Sequence, residues 1–131
     1  MAAVCILGAG CEKKTEKFSI VSFFEDYGMT FRGTEIVISD IVKYCGKRFA
    51  RGEFSMTKDQ WNKFLAELKT THRFINHFQL NDSIDARNRK ILCIAADPCD
   101  VYPFQVYSTN TYFYVMGEKE NILIKCLIEF K

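Results

Sequence analysis

Proline and glycine are scarce here, at two and seven in 131 residues. With so few, no segment reads as a Pro- or Gly-rich linker, and no low-complexity run or repeat breaks the chain. The expected organisation is a short N-terminal arm over 1–16 and one domain over 17–131, divided into 17–80 and a further strand region over 90–131. That length buries a core without staples. Long apolar runs are also lacking. The first ten residues are apolar but too short to span a bilayer, and no positive n-region precedes them, so neither a signal peptide nor a membrane segment is expected. The six cysteines, Cys5, Cys11, Cys45, Cys93, Cys99 and Cys126, form no CxxC pair. They read as reduced, mostly buried thiols, which places the chain in the nucleus or cytoplasm and not outside the cell. Neither charge sign dominates: the net charge is +2, with the basic excess in 57–90 and an acidic C-terminal third. A dedicated duplex-DNA binder shows a larger basic excess, whereas a local cationic patch is compatible with this balance.

Catalytic signatures are missing as well. There is no nucleophile elbow, paired-carboxylate motif or Cys/His signature. Asp97-Pro98-Cys99-Asp100 reads as a turn. The run Leu7-Gly8-Ala9-Gly10-Cys11-Glu12-Lys13-Lys14 lacks the Gly-Lys pair of a phosphate loop and the third glycine of a dinucleotide fingerprint. His72 and His77 stand five apart, so they do not share a helix face as an i, i+4 ligand pair would. No enzyme, cofactor or metal is expected.

What the chain has is rings. Aromatics make up 15% of it, with twelve phenylalanines and six tyrosines, a composition that suits pleated, half-buried strands. Strands are expected over 17–25, 34–44, 49–56, 91–96, 101–116 (broken near 108–110) and 122–130, with turns at Tyr27-Gly28 and Gly46-Lys47. Thr57 and Gln60 form a capping box, after which Trp61, Phe64, Leu65, Leu68, Ile75 and Phe78 recur at helical spacing. Asn81-Asp82-Ser83 is read as the end of that helix, and Arg87-Asn88-Arg89-Lys90 as a polar link. The order strands, helix, strands predicts an α+β fold: a mostly antiparallel, curved sheet with one long central helix.

Cations and rings interleave between residues 31 and 51, at Phe31, Arg32, Lys43, Tyr44, Lys47, Arg48, Phe49 and Arg51. On one open sheet face this set would suit a single-stranded nucleic acid, because cations follow phosphates and ring faces stack on bases. An ordinary half-buried sheet carries the same pattern. The segments Phe31-Arg32-Gly33, Val37-Ile38-Ser39-Asp40-Ile41-Val42-Lys43-Tyr44, Arg51-Gly52 and Phe54-Ser55-Met56-Thr57-Lys58-Asp59-Gln60-Trp61 resemble the positive cofactor 4 family of transcriptional coactivators, which bind single-stranded DNA. The likeness covers about forty residues. Cys45 stands where the family has a stacking tryptophan, and Thr34 where it has a lysine. The resemblance implies a homodimer joined through Trp61, Phe64, Leu65 and Leu68. It further implies phosphate contacts from Arg32, Lys47, Arg48 and Arg51 and base stacking on Phe31 and Tyr44.

The expectation is therefore a non-enzymatic binder of single-stranded DNA or RNA that acts in transcription or replication, with proteins of those processes as possible partners and no membrane. A competing expectation is a protein-interaction module built on the aromatic C-terminal strands, with Tyr102, Phe104, Tyr107, Tyr112, Phe113 and Tyr114 at its surface.

Overall fold

The computed structural model describes residues 15–75, 80–106, 109–117 and 120–130. The fold is α+β. Seven antiparallel strands form one sheet in the order β1-β2-β3-β7-β6-β5-β4. The strands are β1 (Thr15–Lys17), β2 (Thr34–Tyr44), β3 (Lys47–Thr57), β4 (Arg73–Phe74), β5 (Asp100–Val106), β6 (Thr109–Met116) and β7 (Asn121–Glu129). The helices are α1 (Ile20–Asp26), α2 (Lys58–Thr71) and α3 (Asp82–Leu92). The expected arm over 1–16 lies outside the described residues except for the start of β1.

The β2–β3 hairpin turns through Cys45 and Gly46, both with positive φ (50° and 82°). Two left-handed residues between twisted strands make a primed two-residue turn, which keeps the partners in register from Tyr44↔Lys47 inward. β7 then inserts between β3 and β6, so the middle of the sheet joins segments more than sixty residues apart in the chain.

Side-chain alternation divides the sheet into two buried faces. On one, Ala50, Phe54, Met56, Phe113, Val115, Ile124, Cys126 and Ile128 pack against Ile20 and Phe24 of α1 and Trp61, Phe64 and Leu68 of α2. On the other, Val42, Phe49, Tyr112, Tyr114 and Leu127 pack against Ile91 and Leu92 of α3 and the following Ile94. The result is three layers, helices on both sides of a sheet.

Local sequence explains two helices that the apolar periodicity did not show. Residues 17–25 were expected as a strand, but Ser19 caps a helix there by accepting from the Ser22 N–H, and Ile20 and Phe24, four apart, both point into the core. Asn81 does not end a long helix. It caps α3, its side chain accepting from the Ile84 N–H, with Asp82 and Asp85 in the first turn and Arg89 and Lys90 in the last, as the helix dipole favours. α2 keeps its Thr57/Gln60 capping box but stops at Thr71, so Ile75 lies beyond it, and Phe78 lies outside the described residues. The stretch 91–96 is the end of α3 and a turn rather than a strand.

The cysteines also need correction. Cys45 and Cys93 are disulfide-bonded, not reduced. Cys99 and Cys126 are the free thiols among the described residues. Cys126 is fully buried and burial pushes its pKa up, which makes it unreactive at neutral pH.

Candidate interaction surface

The residues expected to hold nucleic acid do not assemble into one face. On β3 and β2, Tyr44, Lys47, Phe49 and Arg51 project toward α3, while Lys43 and Arg48 project to the opposite side of the sheet. Phe49 is fully buried under α3, with the Arg87 guanidinium 4.9 Å from its ring centroid. Phe31 is half-buried against core rings, 4.9 Å from Phe54 and 6.3 Å from Phe24, so it serves as a packing residue.

Most of the cations are committed. Arg51 grips Asp40 with both prongs, Nε and Nη2 each 2.8 Å from a carboxylate oxygen, and donates a third bond to the Ile91 carbonyl at 3.3 Å. A forked guanidinium matches a carboxylate in this way and has little left for a phosphate. Lys47 donates to Glu129 at 2.7 Å. Arg32 donates to the Thr30 carbonyl and lies 3.7 Å from Glu67. Arg48 sits 5.7 Å from the Phe130 ring.

The helix stripe expected at a dimer interface is consumed within the chain. Trp61, Phe64 and Leu68 are buried against the sheet and α1, and Leu65 packs partly on the same core. The C-terminal rings are interior too: Phe104, Tyr112, Phe113 and Tyr114 are buried, and Tyr102 leans on Trp61 at 5.4 Å. Tyr107 lies outside the described residues. Neither His72, at the end of α2, nor any other described residue belongs to a cluster that could hold a metal. His77 lies outside them.

Gly33, the third residue of the family-like turn, has a structural reason of its own. A Cβ there would come within 2.5 Å of the Phe31 ring and 2.7 Å of the buried Phe54 ring. We expect Gly33→Ala to cost about 1–3 kcal/mol of unfolding free energy by overpacking, read from urea melts. A variant as stable as wild type would show that the glycine is not there for packing.

The feature that sequence reasoning missed is at the first edge of the sheet. β1 pairs with β2 only over residues 40–42. At Ser39 the edge is closed once more, by the Ile20 N–H donating to the Ser39 hydroxyl and that hydroxyl donating to the Phe18 carbonyl. Beyond that, Thr34–Ile38 has no described strand on its outer side. Its pairing with β3 slips by two residues between Thr34↔Ser55 and Ile38↔Glu53, with Glu35 at φ 50° inside the slip. Three residues on β2, Glu35, Ile36 and Val37, thus lie opposite one on β3, Phe54, and the excess is pushed outward. Ile36 and Val37 are left 43% and 54% exposed. Two adjacent β-branched side chains on an open edge strand invite pairing, since natural edges are usually charged, covered or shortened. The opposite edge is β4, two residues long.

No protein-family model, curated protein or solved structure matches this chain.

Proposed function

We propose that the chain is a non-enzymatic protein-interaction module that docks through the outer edge of β2. The reading is carried by the adjacent exposed Ile36 and Val37 on the bulged stretch Thr34–Ile38, whose outer side has no described strand. An extended segment of a partner, or β2 of a second copy, would add a strand there. Main-chain hydrogen bonds would supply affinity and the two apolar side chains specificity. This moves the interaction surface away from the aromatic C-terminal strands, whose rings fill the core.

The double substitution Ile36→Asp and Val37→Asp is the test. Both side chains are exposed, so the melting temperature is expected to stay within a few degrees of wild type. Peptides selected by display against wild type should be extended, with alternating apolar residues, and self-association in sedimentation velocity should report a second copy. The variant should lose whichever of these wild type shows. Equal binding by the variant, or neither activity in wild type at high micromolar concentration, would sink the proposal.

Binding of single-stranded DNA or RNA is the second reading. It is supported by Lys43 and Arg48, register partners that are both exposed near the tip of the β2–β3 hairpin. Two cations do not make the extended groove that strand binding uses, and for this reason it ranks below the edge. A fluorescent oligo-dT titration at about 50 mM salt decides it, because electrostatic binding is strongest there.

We further infer an oxidising compartment in place of the nucleus or cytoplasm, because Cys45 and Cys93 are disulfide-bonded and such bonding persists where thiols are not kept reduced. Among the described residues no helix is long and apolar enough to cross a membrane.

A further inference from the structure

A cleft of about 500 Å³ opens where α2 ends and β4 begins, at the edge of the sheet opposite to Ile36. Tyr27, Thr71, His72, Arg73 and Gln105 line it, and none of them is an acid. Its volume is in the range of small-molecule sites.

Arg73 is unlike the other arginines of the described residues. Arg32, Arg51, Arg87 and Arg89 hold carboxylates, and Arg48 lies over Phe130. Arg73 alone among these six has no acid, carbonyl or ring partner. Its register partner across the β4–β5 ladder is Gln105, whose amide is also without a partner. Directly paired residues hold their side chains on the same face, about 5 Å apart at Cβ. A guanidinium fork and an amide donor therefore stand together at the cleft.

The ordinary role for a cation here would be to offset the negative end of the α2 dipole. Lys69 already stands in the last turn of α2, with its ammonium 5.7 Å from the Phe74 ring. Thr71 turns its hydroxyl back on the Glu67 carbonyl at 2.7 Å, so it is not a donor to the cleft. Burial holds the His72 pKa below its usual value, which leaves the imidazole neutral at pH 7. The fixed positive charge of the cleft is then Arg73.

We propose that this cleft binds a small molecule through an oxyanion, carboxylate or phosphate. Arg73 would take two of its oxygens and the Gln105 amide another, with Tyr27 as a side wall. The proposal is independent of the β2 edge and would stand if that reading fell.

Citrate and inorganic phosphate are the two probes, with glycerol as the uncharged control, followed by ¹H–¹⁵N NMR including the arginine Nε–H and glutamine side-chain signals. We expect saturable shifts confined to Arg73, Gln105 and the 71–73 backbone. Saturation by citrate alone assigns a carboxylate ligand, by phosphate alone a phosphate ligand, and by both an oxyanion site of either kind. Arg73→Gln should weaken binding at least tenfold, about 1.4 kcal/mol. Lys58→Gln, which removes an exposed cation elsewhere, should leave it unchanged. Circular dichroism confirms that both variants are folded. Non-saturating shifts, shifts spread over all surface cations, or equal affinity in Arg73→Gln would overturn the proposal.

Discussion

Phe64→Ala is expected to lower the unfolding free energy by about 3–5 kcal/mol, the largest loss for any single side chain of α2. The ring is fully buried and meets Phe24 at 5.3 Å, Phe113 at 5.8 Å, Trp61 at 6.1 Å and Phe31 at 6.5 Å. It therefore joins α1, α2, the loop before β2 and the centre of the sheet, and its removal opens a cavity touching all of them. Urea denaturation followed by tryptophan fluorescence measures the loss. The same experiment separates a core from a subunit interface. If Phe64 packs within the chain, the midpoint shift does not depend on protein concentration. A folded variant whose only defect is dissociation of a dimer would show that the helix stripe is an interface after all.

Glu129→Gln ranks second, at about 3 kcal/mol. Glu129 is 8% exposed and receives Lys47 at 2.7 Å, Arg87 at 3.0 Å and the Tyr112 hydroxyl at 3.3 Å. Burial alone would raise its pKa, but the hydrogen bonds and charges of Lys47 and Arg87 outweigh burial and hold it below the ordinary carboxylate range. The cost of the substitution is mainly the Arg87 guanidinium left half-buried without an anion, since Lys47 is well exposed and readily hydrated. The pH dependence has a definite sign. A carboxyl whose pKa falls on folding contributes stability that is present above its unfolded pKa and is lost as pH drops through the folded value. Wild type should therefore lose stability on the acid side, and Glu129→Gln should flatten that limb while lowering the plateau. Unfolding free energies between about pH 3 and 7 would show it. An unchanged acid limb would mean that Glu129 is not the carboxylate responsible.

These two sites mark what could and could not be read from the chain. The β2–β3 hairpin, the Thr57/Gln60 box and the breaks around β5, β6 and β7 depend on neighbours a few residues apart, and those were legible. α3 was hidden because its inward stripe is thin and its arginines look like a solvated link. Arg87 is in fact drawn to Glu129, forty-two positions away, and Arg89 to Asp85 beside Tyr114. The same blindness produced the nucleic-acid patch. Arg51 and Phe49 look available until Asp40, Glu129 and α3 are placed around them, and nothing local announces those partners. Ile36 and Val37 failed in the other direction. Their β-branched side chains read as ordinary strand, and only the two-residue slip against β3 turns them outward.

The position of β7 has a consequence for how the molecule comes into being. No ladder but its own joins the two halves of the described sheet, β1-β2-β3 on one side and β6-β5-β4 on the other. Ribosomal synthesis delivers the keystone after both. Any β2–β3 or β5–β6 hairpin that formed before then would leave unpaired the edge destined for β7, and an unpaired edge is a template for another chain.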